Sequence, residues 1–125
     1  MQDGFKSSFT LSKNGDTFQA LDEKVYDQIA YGIEPMVFAA AEAYKETGQN
    51  KYADLAGHLA AWLWGANDAV TKMYEVTTGR CYDGISSAAN VNHNSGAEST
   101  VEALLTLEKV EGFPAIKAAF DKYKK

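Results

Sequence analysis

An all-α domain is what this sequence predicts, and three observations carry the prediction. Alanine, leucine and other helix-favouring residues recur at helical spacing through residues 35–64 and 96–123. Gly48, Gly65 and Gly112 stand where those runs stop, the place where a helix hands over to a left-handed or open residue. The chain's two prolines, Pro35 and Pro114, stand at the starts of two such runs, where the missing N–H costs nothing. The expected organisation is a single helical domain over residues 1–125. It divides into an irregular arm (1–20), a helix hairpin (21–65), a long polar loop (66–95) and two C-terminal helices (96–125).

In the arm, Phe9-Thr10-Leu11-Ser12 alternates and Lys13-Asn14-Gly15-Asp16 is a turn sequence, so a short hairpin fits within it. Asp22 is a cap for a short helix over 23–31 with Val25, Tyr26 and Ile29 on one side. A helix over 35–47 carries Met36, Val37, Phe38, Ala40, Ala41 and Tyr44, and stops at Gly48. Asn50 caps the next, over 51–64, which carries Tyr52, Leu55, Leu59, Trp62 and Leu63 and shows Ala56, Ala60 and Ala61 on its other side. The linker Thr47-Gly48-Gln49-Asn50 makes these two an antiparallel pair. The helix over 96–111 is expected to turn Val101, Leu104, Leu105 and Val110 inward. The last carries Ile116, Phe120 and Tyr123, with Lys122, Lys124 and Lys125 at the negative end of its dipole.

Composition excludes several functions. Net charge is −5, and the basic residues are scattered lysines with one arginine, so no basic stripe for nucleic acid is present. No run approaches the ~18 apolar residues of a membrane span, and the N-terminus lacks the apolar core of a signal peptide. These features predict a soluble chain, whether a whole protein or part of a longer one. The single Cys81 forms no internal disulfide. No His, Cys or Asp stands at the spacing of a zinc site, and no metal or cofactor is expected.

Scarce, chemically capable residues gather in one place. Between Arg80 and Thr100 lie the sole arginine, the sole cysteine, one of the two histidines and Asn90, Asn92 and Asn94, running straight into a helix. A 30-residue connection between well-signalled helices is unusual unless it is functional.

Two segments carry a family resemblance. Ala43-Tyr44-Lys45-Glu46-Thr47-Gly48-Gln49-Asn50-Lys51-Tyr52-Ala53, followed by Trp62-Leu63-Trp64-Gly65-Ala66-Asn67-Asp68, resembles the helix hairpins of the (α/α)6 toroids of carbohydrate-active enzymes, the cellulase-type six-hairpin glycosidases. The resemblance spans roughly residues 26–111. It implies a C-terminal part of such a domain, or a smaller relative, with oligo- or polysaccharide as ligand and an extracellular setting. In those enzymes a polar segment leads into a helix bearing a catalytic glutamate, and Asn94-Ser95-Gly96-Ala97-Glu98-Ser99-Thr100 occupies the matching place. The histidine–arginine-rich stretch usual there is replaced by Arg80-Cys81-Tyr82-Asp83-Gly84.

The candidate residues follow from both lines. Glu98 and Asp83 are the carboxyl pair a glycoside hydrolase requires, ~6.5–9.5 Å apart for inversion. Each has a structural reading beside it: Ser95-Gly96-Ala97-Glu98 also spells a capping box, and Asp83 before Gly84 also spells a turn. Arg80 fits a sugar or carboxylate clamp, and equally a tie to Asp68 or Asp83. Asn92, His93 and Asn94 offer amide and imidazole groups to hydroxyls. Trp64, Tyr74 and Tyr82 offer ring faces. Three functions remain open: a glycoside hydrolase, a non-catalytic glycan- or protein-binding module, and a structural piece packing on another domain or a second copy of itself.

Overall fold

The computed structural model describes residues 6–125, and among them four α-helices stand with seven short β-strands in three antiparallel sheets. The class is mixed α and β. Those sheets overturn the all-α expectation, and with it the all-helical toroid. The strands that make the difference are mostly two to four residues long. That is too short to leave a periodic signal, and they exist because distant segments pair.

From residue 8 on, the arm belongs to a hairpin, β1 (Ser8–Asn14) paired with β2 (Thr17–Lys24), with a register shift between Ser8 and Thr10; residues 1–5 of the arm lie outside the described residues. Gly15, at φ +61°, is the first central residue of the two-residue loop between paired Asn14 and Thr17, the position where such hairpins favour glycine. The helix expected over 23–31 does not form. β2 runs on to Lys24, Gln28–Ile29 is strand β3, and Ala30–Gly32 is a single 3-10 turn. Partners elsewhere outcompete local helix there. The fully buried Gln28 side chain takes the Trp62 indole N–H (2.8 Å) and donates to Asp68 (3.0 Å), which the Tyr26 hydroxyl also bonds (3.0 Å).

The helix pair is as expected. α1 (Ile33–Thr47) ends at Gly48, left-handed at φ 66°, and α2 (Asn50–Ala60) continues as a 3-10 turn over Ala61–Leu63. The N-cap of α2 is Gln49 rather than Asn50. Buried alanines at 40, 41, 53, 56, 60 and 61 let the two helices approach closely.

The expected 66–95 loop holds four of the seven strands found among the described residues. β4 (Tyr74–Glu75) pairs with β5 (Arg80–Cys81), and β6 (Gly84–Ser87) lies between β3 and β7 (Asn90–Asn92). Buried Met73 stitches this region to the helices: its N–H reaches Leu63 O (3.0 Å) and its carbonyl accepts from Tyr82 (2.8 Å).

α3 (Ala97–Glu111) and α4 (Pro114–Tyr123) close the chain. α4 buries Ile116, Ala119 and Phe120 against α2. α3 is rotated from the expected orientation. It buries Ser99, Ala103, Thr106 and Val110, while Val101, Leu104 and Leu105 face outward. The buried set is small enough to lie close on α1. Its hydroxyls are satisfied, Thr106 donating to Glu102 O within the helix (2.8 Å) and Ser99 to the distant Asp83 (2.7 Å). A Lys109–Glu42 ion pair joins the same two helices.

Candidate functional site

The β3–β6–β7 sheet and the segment between β7 and α3 border an open cleft of about 750 Å³. That lies within the range of small-molecule sites, ~300–1,000 Å³. Its partly exposed apolar lining is Ile29 and Val91, and Ile85, opposite Val91 across β6 and β7, is buried in the core beneath. Around these stand Asp27, Asp83, Ser86, Asn90, Asn92, His93 and Asn94. The sheet brings two distant stretches of chain together. Ile29 lies opposite Gly84, and an added Cβ on Gly84 would fall 2.4 Å from Gln28 O, so only glycine lets β3 sit so close.

Asp83 holds the cleft's corner. Its carbonyl accepts from Ala30 N–H (2.9 Å) and its N–H donates to Asn94 O (2.8 Å). Its Oδ1 accepts both the Gly96 N–H (2.9 Å) and the Ser99 hydroxyl (2.7 Å) at the start of α3. The N-cap of α3 is Gly96, which has no side chain, so Asp83 supplies the missing cap from across the cleft. The Gly96 N–H, then the Ser99 hydroxyl, hold its carboxyl below the ordinary aspartate value. A carboxylate so held is ionised at neutral pH and cannot act there as a general acid.

Other side chains are positioned but uncommitted. Asn92 Oδ1 accepts from Asn94 N–H (3.1 Å), which leaves its amide donors free. Among the described residues the side chains of Asn94 and Asp27 have no hydrogen-bond partner. His93 packs its ring edge-on to Tyr82, centroids 4.7 Å apart. Asn90 and Ser86 bond each other (2.6 Å) beside the turn of the β6–β7 hairpin.

The residues singled out from sequence divide accordingly. Asp83, Asn92, His93 and Asn94 line the cleft, and Tyr82 backs it through His93. Trp64 and Tyr74 stack on each other at 5.1 Å, with Phe120 edge-on to Trp64, and neither belongs to the cleft lining. Arg80 pairs with Glu75 across β4–β5 (3.5 Å) rather than with Asp68 or Asp83. Glu98 is exposed and outside the lining. Nor does it form the expected capping box: Ser95 is not the cap, and its hydroxyl lies 3.5 Å from that of Thr100. Cys81 is fully buried, and burial pushes its thiol up to about 12, leaving it unreactive. Asp27, Gln28 and Ser86 were missed. A signal for the hairpin was present, since Ile85 and Val91 flank a Ser-Ser-Ala-Ala-Asn turn. Nothing local points to Asp27.

No group of three or more His, Cys, Asp or Glu side chains converges to hold a metal among the described residues. In comparison with known proteins, no family model matches the chain and no curated protein matches it.

Proposed function

We propose that this chain is a carbohydrate-binding module, holding sugar in the cleft between β3, the β6–β7 hairpin and the start of α3. One observation carries the reading. Free amide donors of Asn92, the side chain of Asn94, the imidazole of His93 and the carboxylate of Asp27 stand around the partly exposed Ile29 and Val91. A sugar ring presents hydroxyls at its rim and C–H groups on its faces, and this arrangement complements both. Binding is favoured over hydrolysis because Asp83 is held as a carboxylate by α3 and Glu98 lies outside the cleft.

Titration with a panel of neutral oligosaccharides tests this. Trp62 reports through intrinsic fluorescence, because its indole bonds Gln28 in the cleft wall. Saturable binding is expected, weakened about tenfold by Asn92→Ala through loss of ~1.4 kcal/mol of hydrogen bonding. Glu98→Gln should bind unchanged. No saturation up to ~10 mM sugar, or equal binding by Asn92→Ala and His93→Ala, sinks the proposal.

A further inference from the structure

The cleft is unbalanced in charge. Its ionisable side chains are Asp27, Asp83 and His93, and neither the arginine nor any lysine lines it. At the contacts between elements the acids hold cations: Glu42 pairs with Lys109, Asp54 with Lys122 and Glu75 with Arg80. Asp27 and Asp83 do not, since among the described residues no ion pair includes either. Asp83 receives only uncharged donors, the Gly96 N–H and the Ser99 hydroxyl, and both fall on Oδ1. Asp27 is exposed and receives none.

Asp27 also borders a second space. It and Ile29 line both the cleft and a smaller recess of about 110 Å³, which Ser7, Tyr31 and Gly32 complete. The two spaces therefore meet at these two residues. Tyr31 is 47% exposed, and among the described residues no other ring and no lysine packs on it. An open tyrosine face attracts a cation through the ring quadrupole, and a carboxylate attracts the same group by charge. Lys6, next to Ser7 in the chain, pairs with Glu23 (2.8 Å).

We infer that the sugar bound in this cleft carries a free amine: a protonated amino sugar whose ammonium pairs with Asp27 where the two spaces meet. The inference rests on the carbohydrate-binding reading and adds the charge of the ligand to it. An acidic sugar needs a lysine or arginine, and neither space supplies one. A neutral sugar can take the amide donors of Asn92, but it partly desolvates Asp27 and Asp83 and brings no opposite charge. An amino sugar offers the same hydroxyls and the missing cation. The open Tyr31 face in the adjoining recess favours that same end of the ligand.

Calorimetric titration of the whole chain with the trisaccharides of glucosamine and of N-acetylglucosamine tests this. At pH ~7 an amine of α-amino basicity, ~7.7, is mostly charged, whereas the N-acetyl form is neutral. The amine form is expected to bind about fivefold more tightly at ~20 mM salt. Raising the salt to ~500 mM should bring the two affinities within about twofold of each other. Asp27→Asn should do the same at low salt, with circular dichroism confirming that it folds. Glu98→Gln, which removes one negative charge outside the cleft, should keep the preference. Equal affinity for both forms overturns the inference and leaves the sugar site standing. So does a preference for the N-acetyl form, one untouched by Asp27→Asn, or one that Glu98→Gln lowers as much. No saturation by either form up to ~10 mM overturns the sugar site itself, and this inference with it.

Discussion

Asp83 shows how one side chain can be read correctly in type and wrongly in partner. An aspartate before Gly84 suggests a local turn. The structure instead joins it to Ala30, Asn94, Gly96 and Ser99, tying three separated stretches of chain. Asp83→Ala removes the acceptor for the start of α3 and is expected to cost about 1–2 kcal/mol in urea unfolding. Asp83→Asn keeps an oxygen there and should cost less. If both variants unfold at the wild-type midpoint, the capping role is wrong. Glu98 makes the opposite point. Its placement three residues after Ser95 matched a capping box, yet Gly96 became the cap because Asp83 reaches it from outside the helix. Local spelling proposes a bond, and a competing partner decides it.

At the scale of elements, the helices were legible because ten to fifteen residues repeat one pattern and end on glycine or begin near proline. Their packing contains a detail no pattern shows. Gly57 lies inside α2, where alanine would normally be favoured by about 1 kcal/mol. A Cβ there would fall 2.5 Å from both Ala119 Cβ and Phe120 N, and 2.7 Å from Ile116 O. The α4 backbone would have to retreat, and overpacking of this kind costs about 1–3 kcal/mol. Overpacking wins. Gly57→Ala should therefore lower stability in chemical denaturation, and a variant as stable as the wild type would refute this account of the α2–α4 contact. The short strands left no comparable trace: β3 exists because β6 lies beside it, more than fifty residues away in sequence.

Across the whole molecule, acidic groups join elements to one another. Asp54 ties α2 to Tyr123 and Lys122 of α4, and Glu42 ties α1 to Lys109 of α3. Both carboxyls lie below their ordinary values, Asp54 chiefly through the Tyr123 hydroxyl and Glu42 chiefly through Lys109. Asp83 joins them in direction. A carboxyl depressed on folding stabilises fully above its unfolded value, about 4, and that contribution is lost as pH falls through the folded value. His58, stacked on Tyr123 and lowered by burial, adds a loss of its own as pH falls below ~6.5. The thermal midpoint should thus fall most steeply below pH ~4, and less steeply in Asp83→Asn. A midpoint constant down to pH ~3 would contradict this linkage.

By itself the sequence determined the positions of the four principal helices, the left-handed stop at Gly48, the arm's turn at Gly15, and the gathering of polar residues around Asn92 and His93. Each of these depends on a residue and its near neighbours, through periodicity, backbone freedom or hydrogen-bonding capacity. Tertiary structure alone decided the sheets, the rotation that buries Ser99 and Thr106 in place of Leu104 and Leu105, and the joining of Asp27 to Asp83 around one cleft. It also turned Arg80, Trp64 and Tyr74 to partners within the fold. The physical reason is common to all of them: each outcome is a competition between partners distant in the chain. Such a competition is settled by which surfaces meet, and no local pattern records it.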